Sequence, residues 1–176
     1  MKRHVAIIGP RGAGKSTIGR LLAAQWGLPL VDLDVDALAL TGVASIREVF
    51  ASSGEAAWRQ AEAMALENAL AGPPAVIATG GGVPCVDPPR HVLAAARAAD
   101  VLQVVLLKCS AEVLRKRLEA STGDRPPLMG QDPVGEIEDV LAQRSHAYQE
   151  AADLEVNGDL APPEVVASVL DQIGAA

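Results

Sequence analysis

The run Gly9-Pro10-Arg11-Gly12-Ala13-Gly14-Lys15-Ser16-Thr17 carries the residue types that hold the phosphates of a nucleoside triphosphate. Its glycines let consecutive backbone N–H groups close around a β-phosphate, and a helix opening near Lys15 adds its unpaired amides and the positive end of its dipole. Lys15 can reach between β- and γ-phosphates, and the Ser16 hydroxyl can ligate Mg²⁺. Val5-Ala6-Ile7-Ile8 reads as the strand before such a loop, and Ile18, Leu21 and Leu22 as one face of the helix after it. Residues Gly12, Ala13, Gly14, Lys15, Ser16 and Thr17 are therefore the candidate contacts to ATP or GTP.

Carboxylates and arginines supply the rest of the possible chemistry. Asp32 and Asp34 follow Leu28-Pro29-Leu30-Val31, and if the chain stays extended through Asp34 its period of two puts both acids on one face. One would then face the water shell of Mg²⁺ and the other an acceptor hydroxyl; the alternative is a pair that caps the next helix. The strand expected over Ala75–Thr79 runs into Gly80-Gly81-Gly82 rather than an acid, which leaves Asp32 and Asp34 to serve the loop. Arg59 lies four residues after Glu55 and three before Glu62, spacing that suits either an oriented guanidinium or a solvated ion pair. Ile137, Leu141, Arg144 and Tyr148 share one helical stripe, so Arg144 should point inward and needs an anion, either a protein carboxylate or a ligand. Arg125 sits in a proline- and glycine-rich stretch, 121–134, where it could close over bound phosphates or simply be soluble charge. Of Arg115, Lys116 and Arg117, one arginine could touch ATP and the others would form a solvated face. His4, His91 and His146 have no partner pattern.

The elements that must position these groups alternate along the chain, which predicts a parallel sheet covered by helices on both faces. Helices are expected over 35–40, 45–51, 55–70, 89–99, 110–120, 133–151 and 163–173, with strands near 101–107 and 154–156. Ser45 with Glu48 forms a capping box, and Ser110 is an N-cap. The length, 176 residues, fits one domain spanning 1–176, and aromatic residues at 2% mean that its core must be aliphatic. A net charge of −7 argues against a broad nucleic-acid surface but leaves room for a local basic pocket. Cys85 and Cys109, far apart and without metal-ligand spacing, read as reduced thiols. No stretch approaches the ~18 apolar residues of a membrane span, and no signal peptide pattern opens the chain. A cytoplasmic protein, with no membrane partner and monomeric by default, is the expectation.

Taken in order, these segments resemble the shikimate kinase family over nearly the whole chain. The phosphate loop followed by Gly19-Arg20-Leu21, Asp32-Leu33-Asp34, Ser45-Ile46-Arg47-Glu48-Val49-Phe50, Gly54-Glu55, Trp58-Arg59-Gln60-Ala61-Glu62, Ile77-Ala78-Thr79-Gly80-Gly81-Gly82, Arg125-Pro126-Pro127-Leu128 and Arg144…Tyr148 each resemble a family segment. Trp58 stands where that family typically has phenylalanine. The resemblance implies a phosphate-loop α/β/α fold with a five-stranded parallel sheet, an acceptor-binding helical segment over about 32–62 and a mobile lid over about 121–134. It also implies transfer of the ATP γ-phosphoryl group to the 3-hydroxyl of shikimate. Asp34, Arg59, Gly80, Gly81, Gly82 and Arg144 would hold the acceptor, both arginines facing its carboxylate, and Asp34 would also be catalytic, orienting the attacking hydroxyl, with its deprotonation by Asp34 left open. Lys15 and Arg125 would stabilise the transferring group, Ser16 and Asp32 would serve Mg²⁺, and Arg117 would contact ATP. Readings left open are a kinase for another polyol acid such as gluconate, a nucleoside monophosphate kinase, and a nucleotide-dependent regulatory module without transfer.

Overall fold

The computed structural model describes residues 3–120 and 136–174. Strand β1, His4–Ile8, is buried along its whole length because it has a neighbour on each side, β3 (Val76–Ala78) and β4 (Leu102–Lys108). Strand β2 (Leu30–Asp32) pairs with β3, and β5 (Leu154–Asn157) pairs with β4. All pairings are parallel, in the order β2-β3-β1-β4-β5. Parallel strands covered on both faces read as unbroken apolar runs, which is how Val5–Ile8 and Val104–Leu107 read.

Alternation along β1 divides the core in two. Ala6 and Ile8 enter one cluster with Leu33, Trp58, Leu66 and Leu93, whereas Val5 and Ile7 enter the other with Ile18, Leu22, Val165 and Val169. The first cluster is covered by α2 (Leu33–Thr41), α4 (Gly54–Ala71) and α5 (Pro89–Ala98), with α3 (Ile46–Ser52) packed on α4. The second is covered by α1 (Lys15–Trp26) and α8 (Pro162–Gly174). Helices α6 (Ala111–Glu119) and α7 (Ile137–Ala151) pack on each other near the carboxyl end of β4. The expected five-stranded parallel sheet between helical layers is thus present. The lid expected over 121–134, with Arg125, lies outside the described residues.

Helix starts follow local chemistry. The Ser45 hydroxyl accepts from the Glu48 amide at 3.2 Å, and the Glu48 carboxylate accepts from the Ala44 amide at 3.1 Å, one residue upstream of the partner that a simple capping box would use. Ser110 caps α6 through the Val113 amide at 3.3 Å. One expectation is corrected: the chain does not stay extended through Asp34. Strand β2 stops at Asp32 and α2 begins at Leu33, because Leu33 and Ala37, both fully buried, make a helical stripe into the core. Asp32 is the residue before the helix and Asp34 lies in its first turn, so the two acids point along different directions.

Candidate active site

The carboxyl ends of β1, β2 and β3 bring together the three loops that carry the candidate residues, as expected for ligand sites on open parallel sheets. In the phosphate loop Gly9, Gly12 and Gly14 have φ of 143, 82 and 94°, and a Cβ on Gly9 would stand 2.8 Å from the Leu107 carbonyl oxygen. Gly14 precedes α1 without a side-chain cap, so the first-turn amides of that helix remain available to an anion. The Lys15 ammonium donates to the carbonyls of Gly9 at 2.9 Å and Pro10 at 2.8 Å, which holds it over the loop. Ser16 Oγ donates to Asp32 Oδ2 at 2.8 Å. Thr17 is exposed on the first turn of α1.

Arg117 reaches the same loop from α6. It donates to the Ala13 carbonyl at 3.3 Å and to the Gly158 carbonyl at 2.9 Å, tying α6, the phosphate loop and the turn after β5 together. Its guanidinium is turned onto backbone carbonyls, while Arg115 and Lys116 pair with Glu138 and Glu112 at the surface, as expected for a solvated face.

The acceptor side is built on α4. Arg59 is buried, and its guanidinium donates to Glu55 Oε1 at 3.0 and 2.6 Å and to Glu62 Oε2 at 2.7 Å. The solvated reading fails for Arg59 and Glu62, which are 5% and 1% exposed, while Glu55 lies at the surface. Burial pushes the Glu62 carboxyl up; the neighbouring Arg59 offsets this only in part, and Asp34 adds to it. Sequence spacing offered a sign of this inward acid, since Glu62 lies between Trp58 and Leu66 on the buried face of α4.

Two of the three glycines, Gly80 and Gly82, follow from those side chains. A Cβ on Gly80 would overlap Glu62 Oε1 and stand 2.8 Å from Asp34 Oδ1, and one on Gly82 would overlap the Arg59 guanidinium, with Cζ at 2.7 Å. Arg144 and Tyr148 face this turn from α7, where the predicted stripe is indeed the inward one, Ile137 and Tyr148 being buried. No ion pair engages Arg144 among the described residues; Tyr148, one helical turn later, donates to the Gly81 carbonyl at 2.7 Å.

Asp34, Arg59, Gly80, Gly81, Gly82 and Arg144 line one pocket, whose other wall includes Pro10 and Arg11 of the phosphate loop. Ile46, Phe50 and Trp58 give it an apolar side that charge patterning alone did not reveal. Asp32 belongs instead to the phosphate loop through Ser16. Cys85 and Cys109 are free thiols, and burial pushes both up, away from the reactive thiolate form. No group of three or more metal-ligating His, Cys, Asp or Glu side chains occurs among the described residues, and none of its helices is long and apolar enough to cross a membrane.

A triphosphate loop that shares a wall with a pocket bearing two arginines and a carboxylate defines a small-molecule kinase of the phosphate-loop class. A family model, shikimate kinase, matches residues 11–174. Shikimate kinase 2 of Yersinia pestis (strain Pestoides F) is 38% identical over 175 residues, covering 98% of this chain and 97% of the relative. The chain belongs to the shikimate kinase family. Among solved structures it is similar to the shikimate kinase of Acinetobacter baumannii in complex with shikimate, at 29% identity and a TM-score of 0.86, covering 98% of this chain and 93% of that one. A gluconokinase from Sinorhizobium meliloti superposes with a TM-score of 0.62 at 18% identity, a likeness of fold.

Proposed function

We propose that the protein transfers the γ-phosphoryl group of ATP to the 3-hydroxyl of shikimate, giving shikimate 3-phosphate and ADP on the route to chorismate and aromatic amino acids. The observation that carries this reading is the convergence of Arg59, Arg144 and Asp34 on one pocket walled by the phosphate loop. Two guanidiniums suit the carboxylate of the acceptor, because their planar forks match its two oxygens. Asp34 accepts the hydrogen bond of the attacking hydroxyl and takes its proton as the oxygen bonds to the γ-phosphorus and the bond to the β-phosphate oxygen breaks. Gly80, Gly81 and Gly82 let the acceptor approach backbone. The amides of Gly12 to Thr17 and the Lys15 ammonium stabilise the leaving phosphates, helped by Arg125 of the lid, and Arg117 steadies the ATP side of the loop.

The Ser16 hydroxyl and Asp32 carboxylate, 2.8 Å apart beside the loop, are hard oxygen donors of the kind Mg²⁺ takes, and so few suffice because this ion keeps waters and phosphate oxygens as its other ligands. When bound, Mg²⁺ neutralises phosphate charge. The 1–176 chain would act as one domain, a cytoplasmic monomer with a small-molecule partner and no nucleic acid or membrane.

The test is a coupled ADP-release assay with Mg-ATP against shikimate, gluconate and no acceptor. Release that requires shikimate is expected. Release on gluconate instead, or equal release with no acceptor, would overturn the reading. A second result follows from the crowded turn. Gly82→Ala should raise the KM for shikimate at least about tenfold and lower the melting temperature as well, because the new methyl overlaps the Arg59 guanidinium, and displacing that group breaks its buried pair with Glu62 as it takes it from the acceptor. Steady-state kinetics with a melting curve check this, and an unchanged KM would count against Arg59 as an acceptor contact.

A further inference from the structure

Helix α7, which carries Arg144, is thinly packed: of its 15 residues only Ile137, Val140 and Tyr148 are buried. It also lines two separate cavities. Val140, Leu141, Arg144 and Tyr148 border the acceptor pocket, whereas Ala147, Glu150 and Ala151 border a second cavity of about 410 Å³ against Leu93, Ala94 and Ala98 of α5. Side chains this small leave space between the two helices instead of interlocking them. What ties the carboxyl end of α7 to its surroundings is polar. Arg97, in the last turn of α5, donates through Nε to Asp153 Oδ1 at 2.5 Å, through Nη1 to the Glu150 carbonyl at 2.8 Å and through Nη2 to the Ala152 carbonyl at 3.2 Å. Asp153 Oδ2 accepts from the Val104 amide at 2.8 Å, and the Asp153 amide donates to the Val104 carbonyl at 2.8 Å. One guanidinium therefore joins α5, the end of α7 and, through Asp153, the inner strand β4.

We propose that Arg97 is a positioning residue for the reaction: from outside the acceptor pocket it fixes the end of α7 against β4, and so fixes where Arg144 stands in that pocket. This rests on the proposed shikimate reading. Arg144 lies within two turns of Glu150 on one helix, and a helix is stiff over that length, so a shift at its carboxyl end reaches the Arg144 side chain. With a cavity on each side and few buried contacts, α7 has room to make such a shift. The last carbonyls of a helix lack partners within it, and a cation there also complements the dipole. An exposed ion pair between two flexible side chains would hold little. Here the fork is engaged at three nitrogens, two of them on backbone, and the Asp153 carboxylate is itself held by backbone, which sets the geometry.

The experiment is a double-mutant cycle on steady-state kinetics. Arg97→Lys keeps the charge and loses the fork, since one ammonium cannot meet three acceptors in that geometry. It is expected to raise the KM for shikimate about fivefold and to leave the KM for ATP within about twofold. In an Arg144→Ala background the same substitution should change the shikimate KM less than about twofold, because the residue it positions is gone. Arg90→Ala removes the other arginine at the second cavity, one paired with Asp87, and should leave both KM values as they are. Equal effects with and without Arg144, equal rises in both KM values, or the same rise in Arg90→Ala would overturn the proposal in favour of a general loss of stability or charge. Amide hydrogen exchange of residues 144–151 in ligand-free protein needs no turnover: Arg97→Lys should accelerate it, and unchanged protection would also overturn the proposal. A wild-type protein that does not turn over shikimate, while the variant still shows that acceleration, would overturn the shikimate reading alone and uphold the hold of Arg97 on α7.

Discussion

The Asp34→Asn variant should bind Mg-ATP as the parent does and turn over about a thousandfold more slowly, the scale on which a general base accelerates proton transfer. Asparagine keeps the shape of the side chain and one oxygen acceptor, so the acceptor can still dock; what it lacks is the ability to take the hydroxyl proton. Stability gives an independent check on the same substitution. Asp34 adds to the upward push on the buried Glu62 carboxyl, so deleting its charge relieves a like-charge contact across Gly80. The melting temperature should therefore hold or rise while kcat collapses. A kcat within tenfold of the parent, in a protein that melts normally, would remove Asp34 from the role of base and leave it as an orienting group.

Why some of this site was visible in the sequence and some was not has a physical explanation. The phosphate loop is a local object: strand, glycines, lysine and helix lie within about twenty residues, so residue types and order suffice to state its chemistry. The stripe that turns Arg144 inward is equally local, being a period along one helix. The relation between Asp32 and Asp34 was misjudged because a period of two was extended two residues too far; burial of Leu33 and Ala37 decided for a helix, and the acids parted. Glu62 was read only as a neighbour of Arg59, although its spacing to Trp58 and Leu66 marks an inward position on α4. That it is sealed off depends on what covers α4, and so does the need for Gly80 and Gly82, whose missing side chains make room for residues some twenty positions earlier. The contact between Tyr148 and Gly81 spans 67 residues, and no pattern in the chain announces it.

Removing the guanidinium of Arg59 should damage the fold and the function together, and the two losses can be separated. In the Arg59→Ala variant Glu62 stays buried without its 2.7 Å cationic partner, a side chain 1% exposed that also feels the charge of Asp34. Breaking a buried ion pair from one side costs about 3–5 kcal/mol, and for a chain of this size that lowers the melting temperature by roughly 10 °C. The shikimate KM should rise by about a hundredfold or more, because a charged hydrogen bond to the acceptor carboxylate is lost as well. Replacing both partners, Arg59→Met with Glu62→Leu, leaves no orphan charge in the interior and should recover most of the lost stability. It should recover none of the shikimate affinity. If stability and affinity return together, the arginine serves the fold and not the acceptor; if neither returns, the trio of Glu55, Arg59 and Glu62 is needed for the packing of α4 itself. The separation is expected because one guanidinium is given two jobs: its Nη1 neutralises Glu62, and Arg59, packed against Gly82, also lines the acceptor pocket.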